Sequence, residues 1–123
     1  MPNYVQNSAP PNYAPRVRVE IYFPISNDRV YRVSLKWLIR ELTQLRGGCT
    51  VRENISGYYF SGSRQLIADN IKVVYSDFPM DWDQPSERAE VLDYCSTVKQ
   101  VLLEDLLEED ILISAYPVAH VGQ

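Results

Sequence analysis

The sequence contains few of the residues on which most catalytic and metal sites depend. Its 123 residues include one histidine, His120, and two cysteines, Cys49 and Cys95. A Ser-His-Asp or Cys-His arrangement would have to use His120, which we expect to be an exposed residue beyond the last element. The two cysteines lie on different predicted elements and fit neither a disulfide framework nor a zinc site. The sequence therefore assigns no residue to catalysis, metal binding or a cofactor, and it favours two reduced thiols in a cytoplasmic protein.

Long hydrophobic runs are also missing. No apolar stretch approaches the roughly 18 residues that a membrane span requires, and no charged segment leads into an apolar core at the N-terminus, so we expect no secretory signal. The hydrophobic content of 46% is typical of a globular protein. A chain of this length is sufficient for one domain with a sizeable core.

Positive charge is scarce in the second half of the chain. Residues 16–72 contain ten basic and five acidic residues, whereas residues 73–123 contain two basic and eleven acidic ones. Opposite charges of this kind can steer copies of a chain towards each other, although a mixed, solvated surface is the simpler interpretation. The acidic segment 104–110 lacks the glycine turn and alternating ligands of a calcium loop. We interpret it as a solvated face, with a protein-docking patch as the alternative.

Residues 1–15 have the composition of a disordered tail. They hold four of the eight prolines, together with three asparagines, and cannot bury enough apolar surface to offset their ordering entropy. We therefore predict a tail over 1–15 and a single domain over 16–123.

The first predicted strand, Arg16–Phe23, alternates strictly between apolar and polar residues. A period of two indicates one buried face and one open face. Val17, Val19, Ile21 and Phe23 form the apolar set, and Arg18, Glu20 and Tyr22 form the other.

Two helices and three further strands follow. Ser34 is a candidate helix N-cap, the leucines of 35–45 repeat at helical spacing, and Gly47-Gly48 ends the helix. Strands are expected at 49–60, 70–77 and 111–117, with a longer connection over 64–69 and a second helix from Pro85. This order predicts an α+β, ferredoxin-like βαββαβ sandwich, in which two helices cover one face of a four-stranded antiparallel sheet.

The open face of that sheet contains the candidate binding or assembly residues. Tyrosine is favoured at interfaces, where one end of the ring is buried and the other stays wet. We expect Lys72, Val74 and Ser76 on the open side of the third strand, which leaves no stacking aromatic residue there. That absence and the acidic balance disfavour nucleic-acid binding. The candidates are Arg18, Tyr22, Arg52, Tyr58, Lys72, Leu112 and Tyr116.

Segment 48–53, Gly-Cys-Thr-Val-Arg-Glu, followed by Gly57-Tyr58, resembles the PII signalling family, in which a helix ends in a Gly-x-Thr-Val step. Segment 111–121, with its Pro-Val step, is similar to the last core strand of that family. A looser similarity connects the chain to small ferredoxin-like proteins that pair sheet to sheet. The PII resemblance implies a trimer that binds nucleotides between its subunits.

Three function hypotheses follow. The absence of a catalytic constellation beside an open sheet face favours a non-enzymatic, oligomeric binding or regulatory module, a dimer or trimer that could also contact another protein. The alternatives are a PII-like sensor of nucleotides and a small enzyme of the dimeric α+β barrel type. A buried cavity in which Tyr22, Tyr58 and Asp77 converge would favour the enzyme hypothesis.

Overall fold

Six elements follow one another in the order strand, helix, strand, strand, helix, strand. The computed structural model describes residues 12–122. The antiparallel sheet has the strand order β2-β3-β1-β4, which confirms the ferredoxin-like α+β fold. The elements are β1 (Tyr13–Pro24), α1 (Arg29–Arg46), β2 (Thr50–Phe60), β3 (Leu66–Phe78), α2 (Pro85–Asp105) and β4 (Ile113–Val121).

One face of the sheet packs against both helices and forms the core. The four apolar residues of β1 at odd positions, 17–23, are all buried, as their alternation predicts. They join Leu38 and Leu42 of α1 and Val98 and Leu102 of α2 in a single hydrophobic cluster. The other face of the sheet, which we call the outer face, carries Arg18, Glu20 and Tyr22 of β1.

The predicted orientation of the third strand is wrong. Cross-strand partners share a face, and the pairs Ile21–Val74 and Phe23–Lys72 place Val74 and Lys72 on the helix side. Tyr75 consequently lies on the outer face. Both sets of alternate residues in this strand contain apolar side chains, so alternation alone could not orient it.

Several predicted boundaries also change. β1 begins at Tyr13, inside the predicted tail, because residues 13–15 pair with 119–121 of β4. Residues 1–11 of that tail lie outside the described part of the chain. α1 begins at Arg29, after the N-cap Asp28, so Ser34 is a buried residue within the helix instead of its cap.

The hairpin of β2 and β3 extends beyond the rest of the sheet. The pairing of β1 with β3 ends at Pro24–Ile71, whereas β2 and β3 remain paired as far as Phe60–Leu66. We call residues 55–60 and 66–70 the ribbon. Its turn spans only 61–65, so residues 66–69 of the longer connection predicted over 64–69 are strand instead. A bulge between Arg52 and Ile55 precedes the ribbon.

Gly57 marks a close approach inside the ribbon, as a glycine within a strand often does. A Cβ atom at Gly57 would lie 2.5 Å from Cδ1 of Ile71, which crosses over it. Any larger residue at position 57 must displace that isoleucine. The side chain of Ile71 therefore packs directly on the backbone of Gly57.

Truncation of Leu102 tests the assignment of the core. Leu102 has no exposed surface, so Leu102→Ala should lower the free energy of unfolding by about 2–5 kcal/mol. Chemical denaturation measures this loss. The control Leu92→Ala removes the same group from a residue of α2 that is 46% exposed. An equal effect of the two substitutions would show that the buried face of α2 is wrongly assigned.

Candidate functional site

The outer face carries a layer of polar side chains that bond to one another, which we call the polar layer. Four sequence-predicted candidates, Arg18, Tyr22, Arg52 and Tyr116, are brought together there. The pairs Arg18–Tyr116 and Arg52–Val73 fix their positions in the sheet. The remaining members were not among the candidate binding or assembly residues, although Asp77 was named for the enzyme hypothesis. These are Glu20, Tyr75, Asp77 and His120.

Glu20 is the buried centre of the polar layer, with only 5% of its surface exposed. One carboxylate oxygen accepts a hydrogen bond from the hydroxyl of Tyr116, and the other accepts one from Tyr22 at 3.2 Å. A guanidinium nitrogen of Arg52 lies 3.9 Å away. These partners are required because an unpaired carboxylate is costly to bury.

The two tyrosines are held as hydrogen-bond donors by their surroundings. Burial, followed by the negative charge of Glu20, raises the pKa of Tyr22. The hydrogen bond to Glu20 raises the pKa of Tyr116. Both phenols therefore remain protonated at physiological pH, in the form that Glu20 needs.

Asp77 forms the second centre of the polar layer, and it joins three strands. It accepts two hydrogen bonds from the guanidinium of Arg18, at 2.7 and 2.9 Å. One of the same oxygens lies 2.7 Å from Nε2 of His120. His120 is thus a partner of Asp77 on β4 and not the exposed terminal residue that its position in the sequence predicted.

The hydrogen bonds from Arg18 are the largest cause of a lowered pKa at Asp77. Burial opposes this effect, and the hydrogen bond with His120 adds to it. Asp77 is consequently held as a carboxylate and does not resemble a general acid poised near neutral pH.

Tyr75 connects the two centres. The guanidinium carbons of Arg18 and Arg52 lie 4.4 and 4.7 Å from the centre of its ring, a cation–π geometry. The hydrogen bond with Thr50 is the main cause of its lowered pKa. Sequence reasoning missed Tyr75 because it reversed the third strand. Phe78, an apolar residue of the opposite parity at the strand end, was the signal that could have corrected this.

The other predicted candidates lie away from the polar layer. Lys72 is on the helix side of β3 and pairs with Glu53 at 3.3 Å. Tyr58 is on the ribbon, paired with Ala68. Leu112 precedes β4, and together with Tyr22 and Ile71 it lines an open groove of about 330 Å³ that continues to the ribbon.

The described residues offer no obvious metal chemistry. Within residues 12–122, no group of three His, Cys, Asp or Glu side chains could hold a metal ion. The carboxylates of the polar layer are already bonded to arginine, tyrosine or histidine. No helix of the described part of the chain is long and apolar enough to cross a membrane.

Comparisons with known proteins support the fold. The crystal structure of CutA1 from Oryza sativa is similar to this chain, with a TM-score of 0.55 and 14% sequence identity. The similarity covers 89% of this chain and 84% of that chain. No model of a protein family matches the sequence, and the search of curated proteins finds no match.

The ion pair of Asp77 predicts a pH dependence of stability. Because the pKa of Asp77 is lowered in the folded protein, its stabilising effect is complete above its unfolded pKa and is lost as the pH falls through its folded pKa. Asp77→Asn should lower the free energy of unfolding at neutral pH by about 1.5–3 kcal/mol, the range for hydrogen bonds to a charged group. The variant should also lose less stability than the wild type below about pH 4.

Urea denaturation at a series of pH values measures both effects. The control Asp83→Asn changes a carboxylate that makes no ion pair within residues 12–122. Parallel pH profiles for the wild type and Asp77→Asn would contradict the assigned role of Asp77.

Proposed function

We propose that this protein is a non-enzymatic binding or regulatory module that works as a homo-oligomer in the cytoplasm. Copies meet through the ribbon and the adjoining end of the outer face, where Tyr22 and Leu112 lie. The resemblance of segment 48–58 to the PII family, whose members are trimers, supports this class of protein. The ferredoxin-like fold that the chain shares with CutA1 agrees with it.

The observation that carries the proposal is the exposure of apolar side chains on the ribbon. Tyr58, Phe60 and Leu66 are 68%, 72% and 63% exposed. A two-stranded ribbon without further cover is at best marginally stable in water. An apolar surface of this kind usually marks an interaction site, and a neighbouring copy would supply the missing cover.

The free edge of β2 offers a second means of contact. β2 is the last strand on its side of the sheet, so the outward backbone groups of 55–60 have no strand partner there. This segment contains neither charge nor proline, the two features that most often block edge pairing. The opposite edge strand, β4, contains Pro117 and is less suited to pairing. The backbone of β2 can therefore accept a strand of another copy.

The groove at the end of the outer face joins these features into one surface. It is lined by Tyr22, Ile55, Ile71 and Leu112, and Tyr58 lies at its ribbon end. A tyrosine with one bonded hydroxyl and one exposed ring edge suits an interface core. We infer that Tyr22 and Tyr116 lose exposure when copies associate.

The rival enzyme hypothesis has less geometric support. A cavity in which Tyr22, Tyr58 and Asp77 converge would have favoured it, and both tyrosines do line the groove. Asp77 instead bonds to Arg18 and His120, four residues along β3 from the partner of Tyr22. Asp77 is therefore not part of the groove, whose carboxylates are Asp69, Glu108 and Asp110, and the three named residues do not converge.

Substitutions on the ribbon test the proposal. Tyr58→Thr combined with Phe60→Thr removes two exposed rings but keeps residues that favour strands. We expect the oligomer to dissociate at least tenfold more readily in sedimentation equilibrium, with an unchanged circular-dichroism spectrum. The control Val33→Gln with Leu92→Gln removes two exposed apolar groups from the helices and should leave association unchanged. A wild type that stays monomeric at high concentration, or a ribbon variant that associates like the wild type, would refute the proposal.

A further inference from the structure

We propose that a pocket at the C-terminal end of α1 binds the oxyanion of a small molecule, a phosphate or carboxylate group, and that Arg46 is its main ligand. The pocket has a volume of about 330 Å³ and lies away from the ribbon. Its walls are Arg46, the adjoining loop, and parts of β2, β3 and β4. One protomer supplies all of these residues, so the inference goes beyond the proposed mode of assembly and does not rest on it.

Arg46 is held firmly by aromatic contacts. Its guanidinium carbon lies 3.9 Å from the centre of the Phe78 ring and 5.8 Å from that of Tyr94. Phe78 is fully buried and meets Tyr94 edge to face at 5.4 Å, so both rings are fixed by the core. Arg46 was not among the sequence-predicted candidates. Its contact with Phe78 fixes the guanidinium before any ligand arrives.

The hydrogen-bond donors of this fixed group are unused. Arg46 makes no ion pair or side-chain hydrogen bond with any residue in 12–122, and its Nε is both buried and without a partner. A guanidinium has five N–H donors in a planar fork that matches an oxyanion. Because Nε is buried, a ligand in the pocket would bind the two terminal amino groups of the guanidinium, for which the described residues also supply no partner.

A role as a helix cap does not account for these observations. A cation in the last turn of a helix interacts favourably with the helix dipole, and Arg46 is the basic residue there in α1. That interaction needs only charge, however, and a lysine extended into water would supply it equally well. It explains neither the stacking on Phe78 nor the free N–H donors.

The remaining walls of the pocket are polar. Thr50, Tyr75 and His120 line it, with Nε2 of His120 bonded to Asp77. Gly47 and Gly48 form one rim, and a Cβ atom at either position would meet nothing within 4 Å, which leaves room for a ligand beside them. The Gly47 N–H donates to the carbonyl of Thr43 and the Gly48 carbonyl accepts from Ser76, so neither of these two groups is a ligand. Asp77 is the only carboxylate among the lining residues, and its charge is matched by the bidentate ion pair with Arg18. Arg46 is thus the uncompensated charge of the pocket.

Titration with inorganic phosphate and with acetate, at ionic strength held constant with chloride, tests the assignment. Amide chemical shifts recorded by NMR should change saturably at Gly47, Gly48 and Thr50. Saturation by phosphate alone would assign a phosphoryl group to the pocket, whereas saturation by both would assign oxyanions in general. No saturable change with either anion, or changes located elsewhere, would overturn the proposal.

Variants of Arg46 separate ligand binding from a dipole role. Arg46→Gln should abolish the saturable change. Arg46→Lys keeps the charge but loses the fork, and it should bind at least tenfold more weakly. The control Arg40→Gln alters an exposed arginine of the same helix and should bind like the wild type. Equal binding by wild type and Arg46→Lys would show that no guanidinium site exists.

The same titration on the ribbon variant keeps this proposal separate from the assembly proposal. The Tyr58→Thr, Phe60→Thr chain retains every residue of the pocket, so it should bind phosphate or acetate as the wild type does. Loss of binding in that variant would contradict a pocket formed by one protomer. Persistence of binding would support the pocket whether or not the ribbon mediates assembly.

Discussion

The buried carboxylate of Glu20 is the constraint around which the outer face of the sheet is arranged. An ionised group that is almost fully removed from water needs partners, because its desolvation costs several kcal/mol. Tyr22, Tyr116 and Arg52 supply them from three strands. Val73, the cross-strand partner of both Tyr22 and Arg52, is only 2% exposed although it lies on the outer face. The sheet therefore has an apolar core on one side and a bonded polar layer on the other.

The groups that remain available for binding lie at the two ends of the outer face. At its centre, the carboxylate of Asp77 is paired with Arg18, and that of Glu20 is bonded to Tyr22, Tyr116 and Arg52. Neither carboxylate is therefore free to bind a ligand. At one end the ribbon exposes aromatic rings and an unpaired strand edge. At the other end Arg46 offers an unused guanidinium beside His120. Assembly and ligand binding are accordingly proposed at these ends, and the polar layer holds both in a fixed relation.

The sequence predicted the scaffold well because the relevant signals are local. The alternation in 16–23 identified the buried face of β1, and the helical stripes and glycine stop located both helices. The third strand was reversed because Val73 and Val74 are both apolar, and only its tertiary partners decide between them. His120 was misjudged for a related reason: its partner Asp77 is 43 residues away in the sequence, and the two side chains bond across the intervening strand β1. The stacking of Arg46 on Phe78 likewise joins residues that no local pattern connects.

The central claim is that copies of the chain cover the ribbon and the free edge of β2. Hydrogen–deuterium exchange of the outward amides of residues 56–60, measured over a wide range of protein concentration, tests it most directly. The account predicts that these amides become protected as the concentration rises, while the outward amides of β4 near Pro117 keep the same exchange rate. Equal and rapid exchange of residues 56–60 at every concentration would mean that the edge remains open, and it would contradict the account.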